Sequence, residues 1–192
     1  MKREEIFLST KLPSSEYKEA KKAIDDTLIR LGVSYIDLLF LHQPSGDYMG
    51  AYQAMEEAKK EGKVRSLELS NFEGKDLDKV LSSVSVPPAV SQVEAHPYYL
   101  ETALREKIAD KNIHLIAWYP LGHGDKSLLN KKIFLDPVNK YPKSPAQVIL
   151  RWHTEMGTII IPASRKEEHI KSNADIFDFA LNERDEGDYI VR

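Results

Sequence analysis

Six short apolar runs, recurring at intervals of roughly 25 to 45 residues with charged segments between them, constrain this chain more than any other feature. They occupy residues 5–12 (EIFLSTKL), 36–44 (IDLLFLHQP), 64–72 (VRSLELSNF), 89–97 (AVSQVEAHP), 113–121 (IHLIAWYPL) and 158–164 (TIIIPAS). Each is nearly continuous in apolar character instead of alternating, as parallel strands buried on both faces require. Parallel neighbours need a crossover, normally a helix, and the charged segments supply it. SEYKEAKKAIDDTLIRLG opens on a Ser/Glu capping pattern, sets Ala20, Ala23, Ile24, Leu28 and Leu31 toward one helical face, and stops at Gly32. GAYQAMEEAKKEGK repeats the design with Ala54, Met55 and Ala58 and stops at Gly62. The expected fold class is α/β, with six βα units. No Pro/Gly/Ser-rich linker or low-complexity tract divides the chain, so one domain over residues 1–192 is expected.

Composition removes several functional classes. The 27 basic and 30 acidic residues are interspersed and give a net charge of -3, so no basic stripe is available for nucleic acid. The absence of cysteine excludes a disulfide framework, a thiolate zinc site and a cysteine nucleophile. The apolar part of MKREEIFLSTKL is too short for a signal peptide, and no stretch reaches membrane-spanning length, so no membrane association and a cytoplasmic location are expected. His42, His96, His114, His123, His153 and His169 have no metal-ligand spacing, and no HExxH, GxSxG, P-loop or GxGxxG motif occurs. EEAKKEGKVR and ERDEGD read as solvated surface.

Active sites of parallel α/β proteins lie at the carboxyl ends of the strands. All six runs end in polar or turn residues: Lys11 with Pro13, His42 with Pro44, Ser70 with Asn71, Gln92 through His96 and Pro97, Trp118 with Pro120, and Pro162 with Ser164. A lysine and a histidine on such a rim suit acid/base and electrostatic work on one substrate. By residue type alone the plainer alternatives stay open. A strand-end lysine is usually a solvated tip, a lone histidine a satisfied polar residue, and a tryptophan part of a core.

FLSTKLP, DLLFLHQP, GKVRSLELSNF, QVEAHPYY, AWYPLGHGD, SPAQVILRW and IIIPAS followed by HIKSNADIFDF resemble, in order and spacing, successive motifs of the aldo/keto reductase family. The resemblance covers nearly the whole chain and implies a (β/α)8 TIM barrel. It also implies hydride transfer from NADPH, with NADH as an alternative, to a small-molecule carbonyl substrate, an aldehyde or ketone. Lys11 and His42 match the family's catalytic lysine and histidine; the histidine orients the carbonyl and the lysine charge favours an ionised neighbouring tyrosine. Ser70, Asn71 and Gln92 match the residues that hydrogen-bond the nicotinamide carboxamide, and Trp118 the aromatic that stacks on the ring. Leu121, Gly122 and Gly124 match a loop whose backbone approaches the pyrophosphate.

The chain also departs from the family pattern. Ser164 and Asn173 keep adenosine-end positions, but Ala163 and His169 stand where the family often has lysine and arginine, leaving Arg165 and Lys166 as replacement charge. Glu68 stands where family members commonly have glycine, and a buried carboxylate there needs a partner. The family's aspartate and proton-donating tyrosine precede the lysine, whereas only ten residues precede Lys11 here, and the nine tyrosines do not match the donor position. A barrel of about six units, lacking the first two and with a short or absent C-terminal substrate loop, is therefore expected. Its activity would be low, or it would serve as an inactive nucleotide-binding or interaction module, with self-association through exposed strand edges.

Overall fold

The computed structural model describes residues 2–135 and 141–181. Six parallel strands follow chain order: β1 (Ser9–Leu12), β2 (Ile36–Leu41), β3 (Val64–Ser70), β4 (Val90–Glu94), β5 (His114–Trp118) and β6 (Ile159–Ile160). The helices are α1 (Ala20–Leu31), α2 (Tyr48–Lys60), α3 (Gly74–Ser83), α4 (Thr102–Ile108), α5 (Lys126–Leu129), α6 (Lys132–Leu135), α7 (Pro145–Glu155) and α8 (Glu167–Ala174). By contacts the chain forms two compact units, residues 1–92 with 111–113 and residues 93–110 with 114–192.

In the first unit every residue of β2 is buried, and so are Val64 and Leu67 through Ser70 of β3. This is the two-sided burial expected of continuous apolar runs. The helices cover the strands: α1 packs on α2, and α2 on β2 and β3, and Ile24, Leu28, Ala51, Met55 and Ala58 are buried. Gly32 ends α1 in the left-handed conformation (φ 65°), which a residue without Cβ adopts at little cost. Three local expectations are corrected. No side chain caps the start of the first helical segment; Pro13 leads into a 3-10 turn over Ser14–Glu19 before α1 begins. Leu31, the last residue of α1, is exposed. Ala54 is only half-buried.

At the start of β2, Asp37 ties this unit together. Its carboxylate accepts from Arg3 (2.6 Å), Arg65 (3.0 Å) and the Leu8 N–H (2.9 Å), while both guanidiniums stack on Tyr35. Burial alone would raise the Asp37 pKa, but the Leu8 hydrogen bond and the two arginines hold it below the usual carboxylate range.

In the second unit Leu128, Phe134, Val148, Ile149, Trp152 and Leu181 form a core cluster. Ser144 and Gln147 form a capping box at the start of α7, with Pro145 at its first position, so the SPAQ sequence specifies that terminus locally. β6 pairs with β5 (Ile116 with Ile159, Ala117 with Ile160) and is two residues long, shorter than the run at 158–164.

Candidate active site

Strand register decides which side chains of the first unit share a face. Lys11 pairs with Phe40, Phe40 with Glu68, Glu68 with Val90, and Ser70 with Gln92. Side chains alternate along a strand and paired residues point the same way, so these six residues lie on one face. His42 follows Phe40 by two residues, just past the end of β2.

On that face Lys11 is exposed, with its Nζ 5.5 Å from the Phe40 ring centroid. His42 is half-buried; burial first, and the Lys11 charge second, lower its pKa, so the imidazole is neutral at neutral pH. Tyr17 fixes the next residue: its phenol donates to the Gln43 carbonyl and accepts from the Gln43 N–H. Ser70 and Gln92 are buried. Asn71, at φ 62°, donates its N–H to the Gln92 carbonyl at 2.8 Å and its amide Nδ2 to Ser70 Oγ at 3.3 Å. The turn that ends β3 is thereby joined to β4.

Glu68 is fully buried, and neither carboxyl oxygen has a hydrogen-bond partner. Burial pushes its pKa up to about 9 against the lowering influence of Lys11, so it is an uncharged acid at neutral pH. Burial without a hydrogen-bond partner disfavours the carboxylate, so the group holds its proton, and both carboxyl oxygens remain unsatisfied.

In the second unit, half-buried Trp118 ends β5 and meets Tyr119 edge-to-face at 4.9 Å, while Tyr119 and His123 have ring centroids 3.8 Å apart. Glu94 Oε1 accepts from the Nε2 atoms of both His96 (3.2 Å) and His123 (2.7 Å). Gly122, His123 and Gly124 all have positive φ. The amides of Gly122 and Gly124 donate within the loop, to Tyr119 and Leu121, so an anion would have to replace these turn bonds to use them. A Cβ on Gly122 would stand 2.9 Å from Leu128 Cδ2, so a side chain there would strike the core as well as strain the backbone. Buried His153, its pKa lowered to about 4 chiefly by burial, donates from Nε2 to the Pro120 carbonyl at 3.1 Å and so buttresses the same loop.

Ser164 precedes α8 and accepts from the Lys166 N–H at 3.1 Å; Arg165 is exposed, and His169 and Asn173 lie on α8. Both Lys166 (3.9 Å) and His169 (3.7 Å) stand near Glu168. Lys166 thus has a carboxylate beside it.

The structure therefore gathers Lys11, His42, Ser70, Asn71 and Gln92 in the first unit. In the second, Trp118 ends β5 and Leu121 and Gly122 lie in the loop that follows, while Ser164 and Arg165 precede α8 and His169 and Asn173 lie on it. The contacts of Tyr17, of His153, and of Glu94 with His96 and His123 were not legible in the sequence. Their partners are distant in sequence or are backbone atoms, although Glu94 follows Gln92 by the two-residue step of a strand. Among the described residues no cluster of three or more His, Asp or Glu could hold a metal ion, and no helix is long and apolar enough to cross a membrane.

A sequence profile described as the aldo/keto reductase family matches residues 1–188. The chain belongs to the aldo/keto reductase family. Methylglyoxal reductase DkgA of Escherichia coli is 34% identical over 189 residues, covering 97% of this chain and 69% of that protein. Glyoxal reductase of Bacillus subtilis is 39% identical over 186 residues, covering 95% and 67% respectively. Among solved structures, an aldo/keto reductase from Brucella melitensis superposes with a TM-score of 0.92 at 38% identity, covering 99% of this chain and 74% of its own. A Bombyx mori aldo-keto reductase in complex with NADP gives 0.90 at 28% identity, covering 99% and 68%. The parallel α/β architecture of this aldo/keto reductase chain is thus that of its barrel-forming relatives, and oxidoreductase function comes with family membership.

Proposed function

We propose that this chain binds NADPH and presents the carbonyl of a small aldehyde or ketone to it for reduction to an alcohol. The observation that carries this reading is the shared face of Lys11, Ser70 and Gln92, with neutral His42 at the end of the neighbouring strand. His42 would donate a hydrogen bond to the carbonyl oxygen, and Lys11 would stabilise the negative charge that develops there. Ser70, Asn71 and Gln92 offer the donors and acceptors that a carboxamide needs. Trp118 offers a flat, half-buried ring for the nicotinamide. NADPH, when bound, supplies the hydride. Leu121 and Gly122 would adjoin the pyrophosphate, and Ser164, Arg165, His169 and Asn173 the adenosine. Glu168 opposes a 2′-phosphate there, which keeps NADH as the alternative cofactor.

The relatives named methylglyoxal reductase and glyoxal reductase favour small 2-oxoaldehydes as the substrate class. One family profile over residues 1–188 supports treating 1–192 as one domain, a partial barrel. Exposed Ile6 and Phe7 beside β1, and exposed Ile159 and Ile161 at β6, support self-association through the terminal strands. The test is a fluorescence titration with NADPH and NADH, with Trp118→Phe as the control. Saturable quenching carried by Trp118 is expected; soluble, folded chain that binds neither nucleotide refutes the reading. Sedimentation on the same samples checks association, and a strict monomer argues against the edges as contacts.

A further inference from the structure

Glu68 is a long acidic side chain on the face that the proposed function uses, fully buried and without a hydrogen bond. It is separated from Lys11 in the register row by Phe40 alone. Adjacent strands lie about 4.8 Å apart, so the Cα atoms of Lys11 and Glu68 are roughly 10 Å apart across that row. A lysine stem of four methylenes and a glutamate stem of two span such a gap. The Lys11 ammonium stands 5.5 Å from the centroid of the intervening Phe40 ring, within cation–π reach. The other titratable group here is His42, at the end of β2; β3 adds Ser66 and Ser70, and β4 adds Val90 and Gln92, none of them charged. Lys11 is the charge that acts on Glu68.

We propose that Glu68 positions Lys11: in a closed arrangement the ammonium crosses the Phe40 ring and pairs with the Glu68 carboxylate, and in the open arrangement Lys11 faces water. Closure transfers one proton from the Glu68 carboxyl to solvent and changes no other bond. In the open arrangement a solvated lysine samples many rotamers and places its charge poorly. In the closed one the charge is held beside His42, and the otherwise unsatisfied carboxyl gains its partner. This inference rests on the proposed role of Lys11 at the carbonyl, but the pairing itself is measurable without cofactor.

The experiment follows the Glu68 side-chain carboxyl by carbon NMR across pH in the intact chain and in Lys11→Met. Loss of the ammonium should move the Glu68 midpoint upward by about one pH unit or more. An unmoved midpoint overturns the proposal. Crystal structures on either side of the wild-type midpoint should show Lys11 Nζ within hydrogen-bond distance of Glu68 only at the higher pH. An ionised Glu68 with Lys11 still in water also overturns it. Lys11 is exposed, so Lys11→Met is expected to fold, and Glu68→Asp against Glu68→Gln provides a second comparison: only the acid should retain a Lys11-dependent titration. NADPH titration of the same samples separates the two readings. Nucleotide binding with an unmoved midpoint sinks the pairing alone, whereas a moved midpoint without nucleotide binding sinks the reductase reading alone.

Discussion

Tyr17 and Gln43 hold each other twice: the phenol donates to the Gln43 carbonyl and accepts from its N–H, both at 2.9 Å. β2 ends at Leu41, so the strand ladder no longer fixes the chain where His42 stands. The buried phenol takes over that task, and it does so from a segment more than twenty residues earlier.

Tyr17→Phe should therefore keep the ring's packing and lose both hydrogen bonds, leaving two backbone groups without their partner. A loss of about 1–3 kcal/mol in urea-unfolding stability is expected. Amide exchange at residues 42–44 should rise more than at β3. Uniform exchange across the unit would show that the phenol supports the fold in general and not the His42 turn.

Glu68 gives the chain an alkaline weakness. Its folded pKa, about 9, lies above its ordinary value of 4.5, so the folded state holds the proton more tightly than the unfolded state. The resulting contribution is fully present below pH 4.5, declines as pH rises, and is lost once pH passes about 9. Thermal melts from pH 5 to pH 10 should fall toward the alkaline end in the wild type and flatten in Glu68→Gln. Parallel curves for the two proteins would mean that Glu68 does not bind its proton as described.

Asp37 acts with the opposite sign. Its folded pKa is depressed below 3.8, so its contribution is present above that value and is lost as pH falls through the folded pKa. Asp37→Asn should cost about 2–3 kcal/mol at neutral pH, since Arg3 and Arg65 lose their shared carboxylate and the Leu8 N–H an anionic acceptor. The variant's denaturant midpoint should also lose part of its acid dependence between pH 5 and pH 2; an unchanged midpoint at pH 7 would contradict this.

Ser70→Ala removes a small buried hydroxyl on the proposed carboxamide side with little change in packing. NADPH should bind about fivefold to tenfold more weakly, the equivalent of about 1 kcal/mol, and the melting curve should barely move. Equal affinity for wild type and variant would remove Ser70 from the cofactor site.

Glu168→Gln tests the adenosine end. The change removes the carboxylate near Lys166 and His169, and the pairs are exposed, so the effect is small. NADPH affinity should rise about twofold to fourfold at low salt while NADH affinity stays level. A rise for both nucleotides would mean that the change acts elsewhere than at a 2′-phosphate.

Much of this was legible in the sequence because it depends on near neighbours. IDLLFL has the continuous apolar character of a strand buried on both faces, and β2 is buried at every residue. Gly32 marks a helix stop because the left-handed turn is a property of that one residue. The SPAQ cap closes on itself within four residues. The order of strand ends that aligns Lys11, His42, Ser70 and Gln92 likewise follows from the spacing of the runs. Register was not legible, because it depends on which strands lie side by side. Only the pairing of Lys11 with Phe40 and of Phe40 with Glu68 places an acid and a base in one row. The protonation of Glu68, the neutrality of His153 and the clamp of Tyr17 on Gln43 were decided the same way. Local propensity and periodicity act over a few residues, whereas desolvation and hydrogen-bond partners are set by whatever the fold brings near from elsewhere in the chain.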